Sequence, residues 1–237
     1  MPVPSQRSAP PRSGFDRLAR IYRGLEFLAF GGDLERTRFC LLDRLRDSQR
    51  VLILGEGDGR CLARLATLAP NARLHCVDSS PAMLAAAEAR LPAAARDRVT
   101  FVCADVAEVV LPAGHFDAVT TFFFLDCFTD VQVEAIVGRI ARALTPDAMW
   151  LFSDFVLPPR GWRRLRARLY VSGLYLYFRW QTGLQARALP DSEAAIERAG
   201  FQRRDVREFQ HGLLRASMYH RIDDRGRRTP PSFAVPM

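Results

Sequence analysis

One stretch of ten residues, 51–60, constrains the fold of this chain more than any other. Residues 51–54 are apolar and partly β-branched, which predicts a short buried strand. Glycines at alternate positions follow, and from Cys61 onward the pattern predicts a helix. A strand, a glycine turn and a helix form the first half of a βαβ unit. The glycines permit a sharp turn and leave bare backbone for a ligand, beside helix N–H groups that can receive a carboxylate or phosphate. These glycines are Gly55, Gly57 and Gly59.

Strands and helices continue to alternate after this unit. Apolar segments that predict strands are separated by segments with helical periodicity, which indicates a parallel sheet covered on both faces. A last pair of strands, 201–209 and 213–222, is predicted to be antiparallel and joined through residues 210–212. The predicted fold class is therefore α/β, a doubly wound, mostly parallel, seven-stranded sheet with an antiparallel C-terminal hairpin. The intervening strands are predicted at 73–77, 99–103, 116–121 and 149–152.

Short-range signals predict where several helices begin. Ser80 is predicted to be an N-cap, and Pro81 the first residue of its helix. Thr129-x-x-Gln132 predicts a capping box. One helix from about Leu34 to Leu45 is predicted before the first strand, and the last helix is predicted over 192–199.

The domain organisation follows from length and composition. A chain of 237 residues with 49% hydrophobic and 25% charged residues suits one globular unit, predicted over 14–222. Within it, residues 14–47 are predicted to form an N-terminal helical cap. The tails, 1–13 and 223–237, are polar and contain prolines, which predicts disorder.

Composition also argues against several classes of function. The five cysteines show no C-x-x-C spacing and the four histidines lack ligand spacing, so neither a disulfide framework nor a metal site is predicted. The net charge of +8 sits largely in the tails and in residues 160–168, so nucleic acid is not the favoured partner. No apolar run reaches the ~18–20 residues of a membrane helix. The N-terminus has no apolar signal-peptide core, and a cytoplasmic location is predicted.

Acidic residues fall at the ends of the predicted strands. Asp78, Asp105, Asp126 and Asp154 each follow or end a strand. In open parallel sheets the ligand crevice lies beyond the carboxyl ends of the strands. Asp78 comes 23 residues after Gly55, close to the ~20 expected between a glycine loop and a ribose-binding acid. The sequence therefore predicts a nucleoside site at this edge.

The loop chemistry discriminates between two nucleoside ligands. Dinucleotide sites use G-x-G-x-x-G, but the position three residues after Gly57 is Arg60. Glu56 and Asp58 make the loop acidic, which would repel a pyrophosphate. The same acids suit a positively charged sulfonium ligand that also carries an ammonium group. This favours S-adenosylmethionine over NAD.

Taken in order along the chain, these motifs resemble those of the class I S-adenosylmethionine-dependent methyltransferases. Gly55-x-Gly57-x-Gly59 matches the first motif of that family and Asp78 its ribose-binding acid. Residues 104–106 match the segment that places an acid on the adenine amino group, and 116–119 the strand before the methyl-transfer site. The resemblance covers roughly residues 34–222. Within the family, segments 15–22 and 189–201 are most similar to ubiquinone/menaquinone-biosynthesis C-methyltransferases.

The resemblance implies S-adenosylmethionine as the cofactor and a set of residues that contact it. The chain departs from the family at Ile53, where an acid two residues before the first glycine is usual. Glu56 or Asp58 is expected to take over the contact to the cofactor's amino group. The implied cofactor-binding residues are Gly55, Glu56, Gly57, Asp58, Gly59, Asp78, Ser79, Met83, Asp105, Val106 and Phe122.

An insertion after the fifth strand often covers the acceptor in this family, which makes 158–190 the candidate substrate lid. Its segment 160–180 is rich in arginine and then in tyrosine and tryptophan. Two other interpretations remain open: a surface helix with one buried stripe, and a basic amphipathic helix lying on a membrane surface. The last would place the protein at the inner membrane face, and a lipophilic acceptor is compatible with both a lid and a membrane contact.

Three residues are candidates for a base, if the acceptor must lose a proton: Asp126, Asp154 and His211. The predicted function is methyl transfer to a small, aromatic or lipophilic acceptor. One alternative is an RNA or protein methyltransferase that uses the arginines of 160–168. The other is a non-catalytic nucleoside-binding relative, which the departure at Ile53 keeps open. The oligomeric state is not predicted.

Overall fold

The structure, a computed structural model, describes residues 32–157, 161, 162, 165 and 189–222. Both predicted tails, residues 14–31 of the cap and nearly all of the candidate lid lie outside the described residues. Among the helices of the described ranges, none is long and apolar enough to cross a membrane.

The described chain alternates between strands and helices over most of its length. The helices are α1 (Asp33–Phe39), α2 (Arg60–Leu68), α3 (Pro81–Arg90), α4 (Asp130–Ala143) and α5 (Ser192–Arg198). The strands are β1 (Arg50–Leu54), β2 (Arg73–Asp78), β3 (Val99–Cys103), β4 (Phe116–Phe122), β5 (Leu144–Phe155), β6 (Phe201–Phe209) and β7 (Leu214–Arg221). Short 3₁₀ helices lie at Leu42–Leu45, Ala93–Arg98, Leu125–Cys127 and Gln210–Gly212.

All seven strands form one sheet in the order β3-β2-β1-β4-β5-β7-β6. The first five in this order are parallel, and β7 runs antiparallel to both β5 and β6. The predicted fold class is therefore confirmed, including the C-terminal hairpin. The strand order reverses direction between β1 and β4, and this is the crevice position at which open α/β sheets bind their ligands.

The predicted helix starts are also confirmed. The Ser80 hydroxyl accepts a hydrogen bond from the Met83 backbone N–H at 3.2 Å, with Pro81 at the first helical position. Thr129 and Gln132 form the reciprocal capping box at the start of α4.

Two element boundaries were predicted wrongly. The helix predicted over Leu34 to Leu45 ends at Phe39, and a 3₁₀ turn follows in which Leu42 and Leu45 are fully buried. In a 3₁₀ helix residues three apart share one side, so an apolar pair at this spacing fits either helix type. The fifth strand begins at Leu144 rather than Met149: Leu144 pairs with Phe116, and a register shift then carries the pairing on to Met149, so the polar, turn-like residues between them form an irregularity in the strand.

The core lies on both faces of the sheet. In β1, Val51 and Ile53 pack into the cluster that includes α2 and α3, while Leu52 and Leu54 pack into the cluster that includes α4. All four side chains are at most 1% exposed. Burial on both faces is the reason that a parallel strand is a continuous apolar run. It also fixes β1 as the rigid base from which the glycine loop emerges.

Candidate functional site

The three glycines of the loop serve different purposes. Gly55, Gly57 and Gly59 all have left-handed φ angles, +66°, +69° and +87°, which side chains rarely adopt. A Cβ on Gly55 would overlap the ring of Phe124, and one on Gly59 would overlap the backbone of Ala87 in α3. A Cβ on Gly57 would meet nothing within 4 Å. Gly55 and Gly59 thus allow close packing, whereas Gly57 presents bare backbone to open space.

The acids after β2 and β3 lie beside this loop. One carboxylate oxygen of Asp78, Oδ2, lies 3.5 Å from the Gly57 backbone nitrogen, and the other accepts a hydrogen bond from the Ser80 N–H at 2.9 Å. The Ala104 N–H donates to the Asp78 carbonyl at 3.1 Å, which brings Asp105 to the neighbouring position on the same edge. The structure therefore places Asp78 beside the glycine loop, and Asp105 beside Asp78 on the same edge of the sheet.

Four further residues predicted to contact the cofactor lie at or shortly after the ends of β2, β3 and β4. Ser79 is exposed and follows Asp78 directly. Met83 on α3, Val106 after Asp105 and Phe122 at the end of β4 are 6%, 5% and 9% exposed. Of these, Phe122 lines the pocket beside the glycine loop.

The two acids within the loop have different partners. Asp58 forms ion pairs with Arg60 at 3.0 Å and Arg90 at 3.3 Å. Its carboxylate therefore already has two cationic partners, and its contact with the cofactor's amino group stays a prediction. Arg60 is the first residue of α2 and Arg90 the last residue of α3, so the two partners come from opposite ends of two helices, which the spacing of the motif did not reveal.

Glu56 instead faces a pocket. Its Oε1 accepts a hydrogen bond from the Leu62 N–H at 2.8 Å, which caps the first turn of α2. Burial raises the pKa of the Glu56 carboxyl to about 8, although backbone hydrogen bonds and the charge of Arg38 act in the opposite direction. The pocket is lined by Arg38, Ile53, Leu54, Gly55, Glu56, Cys61, Thr120 and Phe122.

Arg38, on α1, was missed by the sequence analysis. It lines the pocket together with Glu56, and its charge lowers the pKa of both Glu56 and Asp126. Its guanidinium carbon also lies 5.1 Å from the centre of the Phe123 ring. In a chain with 34 basic residues, no local pattern distinguishes this arginine from the others. Only the packing of α1 against the strand ends reveals its position.

A pair of acids, the partly buried Asp126 and the buried Asp154, lies at the ends of β4 and β5. Asp154 is 2% exposed, and its carboxylate accepts hydrogen bonds from the Phe155 N–H at 2.8 Å and from the Asp126 N–H. Burial raises the pKa of Asp126 to about 6. Burial also raises the pKa of Asp154 well above its usual range, and the charge of Asp126 adds to this rise. Neighbouring buried carboxyls do not ionise independently, so the pair can hold or receive a proton near neutral pH.

His211 is exposed, with a left-handed φ of 59°, in the turn between β6 and β7. Because Phe155 pairs with Leu214, this turn lies at the same edge of the sheet as Asp154. His211 as a base stays a prediction. The sequence placed it correctly in a turn but carried no information on which side chains that turn approaches. Within the ranges described, no group of three His, Cys, Asp or Glu side chains is arranged to hold a metal ion.

Together, a glycine loop, an adjacent acid and a parallel sheet define a Rossmann-like, nucleoside-binding domain. Residues 51–147 match the family model described as a methyltransferase domain. The demethylmenaquinone methyltransferase of Thermus thermophilus is 34% identical over 158 residues, which cover 66% of this chain and 70% of that protein. The protein of the same name from Roseiflexus castenholzii is 30% identical over 198 residues, or 82% of this chain and 78% of that protein.

Solved structures agree in fold. A 1,6-didemethyltoxoflavin-N1-methyltransferase from Burkholderia thailandensis, crystallised with 1,6-didemethyltoxoflavin and S-adenosylhomocysteine, superposes with a TM-score of 0.62 at 20% identity over 94% of both chains. The mitomycin 7-O-methyltransferase MmcR has the same TM-score and identity, over 87% of this chain but only 60% of that one. The chain belongs to the family of S-adenosylmethionine-dependent methyltransferases, and S-adenosylmethionine is its cofactor.

Proposed function

We propose that this methyltransferase acts on a small, lipophilic, aromatic acceptor of the quinol or phenol class, with the Asp126–Asp154 pair as proton acceptor. The observation that carries this proposal is the buried acid pair at the ends of β4 and β5. Relatives named for demethylmenaquinone, and one named for nocamycin O-methylation in Saccharothrix syringae, support a small acceptor.

Cofactor binding is assigned to the half of the edge formed by β1, β2 and β3. The backbone of Gly57, open to space, receives the adenosyl group, and the Asp78 carboxylate accepts hydrogen bonds from the ribose hydroxyls. Asp105 receives the adenine amino group, with the apolar side chains of Met83 and Val106 beside the ring. Ser79, and Phe122 from the neighbouring end of β4, complete this surface, while Gly55 and Gly59 allow the close packing that holds the loop in place.

S-adenosylmethionine supplies a methyl group on a positively charged sulfur, so that much of the driving force comes with the cofactor. The protein's residues hold the acceptor in line and exclude water. When an acceptor C–H or O–H is replaced by a bond to the methyl carbon, its proton must leave. Asp126 receives that proton, while the N–H groups of Asp126 and Phe155 hold Asp154 in place.

The segment 158–190 is proposed to cover the acceptor, and its part 160–180 to contact the inner face of the membrane. Only Gly161, Trp162 and Leu165 are described within residues 158–188. Trp162 and Leu165 are 64% and 62% exposed. Large apolar side chains at the surface support an apolar partner at this segment, either the acceptor or the lipid in which a lipophilic acceptor dissolves.

The proposal is tested by assaying the purified protein with S-adenosylmethionine and three acceptors: a short-chain demethylmenaquinol, a water-soluble polyphenol and bulk RNA. We expect transfer to the quinol, weaker transfer to the polyphenol and none to RNA. Asp117→Asn, which changes an acid outside the crevice, is the control for Asp126→Asn. Transfer to RNA with a steep loss at higher salt would contradict the proposal.

A further inference from the structure

The pocket next to the glycine loop contains an acid in an unusual position. Ile53 is apolar and 1% exposed, so it offers no charge to a ligand. Glu56 lines the same pocket from the loop itself. Asp58, the other acid of the loop, is held by Arg60 and Arg90. Within this pocket, Glu56 is therefore the acid available for a cationic group.

The groups around Glu56 shift its pKa in opposite directions. The charged and titratable groups that face it are Arg38 on α1, Asp58 in the loop, Cys61 on α2 and Cys76 on β2. Arg38 stabilises the carboxylate form, and Asp58 disfavours it. Burial outweighs both, which places the pKa of Glu56 at about 8, so at neutral pH the carboxyl is largely protonated.

We infer that Glu56 receives the ammonium group of the cofactor's amino-acid end, and that binding near neutral pH expels the carboxyl proton of Glu56 to solvent. This inference rests on the proposed placement of the adenosyl group over Gly57 and beside Asp78. A neutral carboxyl attracts an ammonium only weakly, whereas an ammonium within about 4–6 Å stabilises the carboxylate. Each cofactor bound then releases one proton, and cofactor affinity is linked to pH.

The direction of this linkage is fixed by the proton balance. Since the complex holds fewer protons than the free protein, affinity rises with pH until Glu56 is ionised without a ligand. Between pH 6.0 and 7.5, a carboxyl with a pKa of about 8 gives a roughly 20-fold gain in affinity. Arg38 acts as a positioning residue, because its charge sets the pH at which the gain levels off.

The test compares two ligands that share the adenosyl group. S-adenosylhomocysteine carries the amino-acid end, and 5′-methylthioadenosine lacks it. Isothermal titration of the wild-type protein at pH 6.0, 6.75 and 7.5 is expected to show the roughly 20-fold gain for the first ligand. The second is expected to show a flat profile. Titration in two buffers of different ionisation enthalpy should report proton release with S-adenosylhomocysteine alone.

Variants test whether the proton released on binding comes from Glu56. Glu56→Gln retains an oxygen that can accept from the Leu62 N–H, so α2 keeps its cap, and it is expected to abolish the pH dependence. Glu88→Gln, an exposed acid on α3, is the matched control and should keep it. In titrations extended to pH 9, Arg38→Gln should move the plateau to higher pH, because the charge of Arg38 lowers the pKa of Glu56. Parallel profiles for the two ligands, or a pH dependence that survives in Glu56→Gln, would overturn the inference. Failure of 5′-methylthioadenosine to bind at any pH would instead overturn the placement of the adenosyl group.

Discussion

Two halves of one sheet edge carry acids in equivalent positions but in different environments. At the ends of β2 and β3, Asp78 and Asp105 are partly exposed, and local backbone N–H groups donate to their carboxylates. At the ends of β4 and β5, Asp126 is partly buried beside the buried Asp154, and desolvation raises the pKa of both. The same residue type at the same topological position thus suits ligand binding in one half and proton transfer in the other. The surroundings decide which.

The largest expected effect comes from a substitution at the ends of β4 and β5, which we call the acceptor half. Asp126→Asn removes the proposed proton acceptor and keeps the shape, so kcat should fall about 100-fold or more. The dissociation constant for S-adenosylhomocysteine should stay within about twofold, because this half does not hold the adenosyl group. Steady-state kinetics and calorimetry on the same preparation check both values. A loss of cofactor affinity equal to the loss of kcat would remove the distinction between the halves.

The next largest effect is expected from a substitution in the cofactor half, which is formed by β1, β2 and β3. Asp78→Ala removes charged hydrogen bonds to the ribose hydroxyls, each of which contributes about 1.5–3 kcal/mol. The dissociation constant for S-adenosylhomocysteine should rise roughly 10- to 100-fold, while kcat at saturating cofactor changes little. Asp117→Asn, outside the crevice, serves as control. An unchanged affinity in Asp78→Ala would show that the ribose lies elsewhere.

The pH dependence of kcat also distinguishes the acceptor half from the cofactor half. The proposed base must be unprotonated to act, and burial raises the pKa of Asp126 to about 6. At saturating cofactor, kcat should therefore rise as the pH increases from 5 to 7, by about tenfold. Asp78→Ala should keep this rise, and the residual activity of Asp126→Asn should lose it. A profile that is flat in the wild type would argue against the acid pair as proton acceptor.

The sequence predicted where these acids lie along the chain, but it did not predict the directions in which their side chains point. The order of strands and helices follows from apolar periodicity and is confirmed, although the start of β5 was predicted wrongly. The sequence did not separate Glu56 from Asp58, because two residues in one loop point to different sides. Asp58 meets Arg90, which is 32 positions away along the chain, and Arg38 approaches Glu56 from α1. Such partners are set by helix packing, which local spacing does not encode.

The smallest expected effect concerns the backbone of the cofactor half. Gly57→Ala incurs only the left-handed penalty of about 1–2 kcal/mol, because the added Cβ meets nothing. Gly59→Ala has the same penalty and also overlaps the backbone of Ala87, so it should lower the free energy of unfolding further. Chemical denaturation checks this order. Gly57→Ala should nevertheless weaken cofactor binding more than its loss of stability explains, and an unaffected affinity would argue against a ligand at this position.

The most direct test of the division of this edge is a crystal structure with S-adenosylhomocysteine bound. We expect the ribose hydroxyls on the Asp78 carboxylate, the ligand's amino group facing Glu56, and its sulfur directed toward Asp126. An adenosyl group bound away from Gly57, or a sulfur directed away from the acid pair, would contradict the assignment of the two halves.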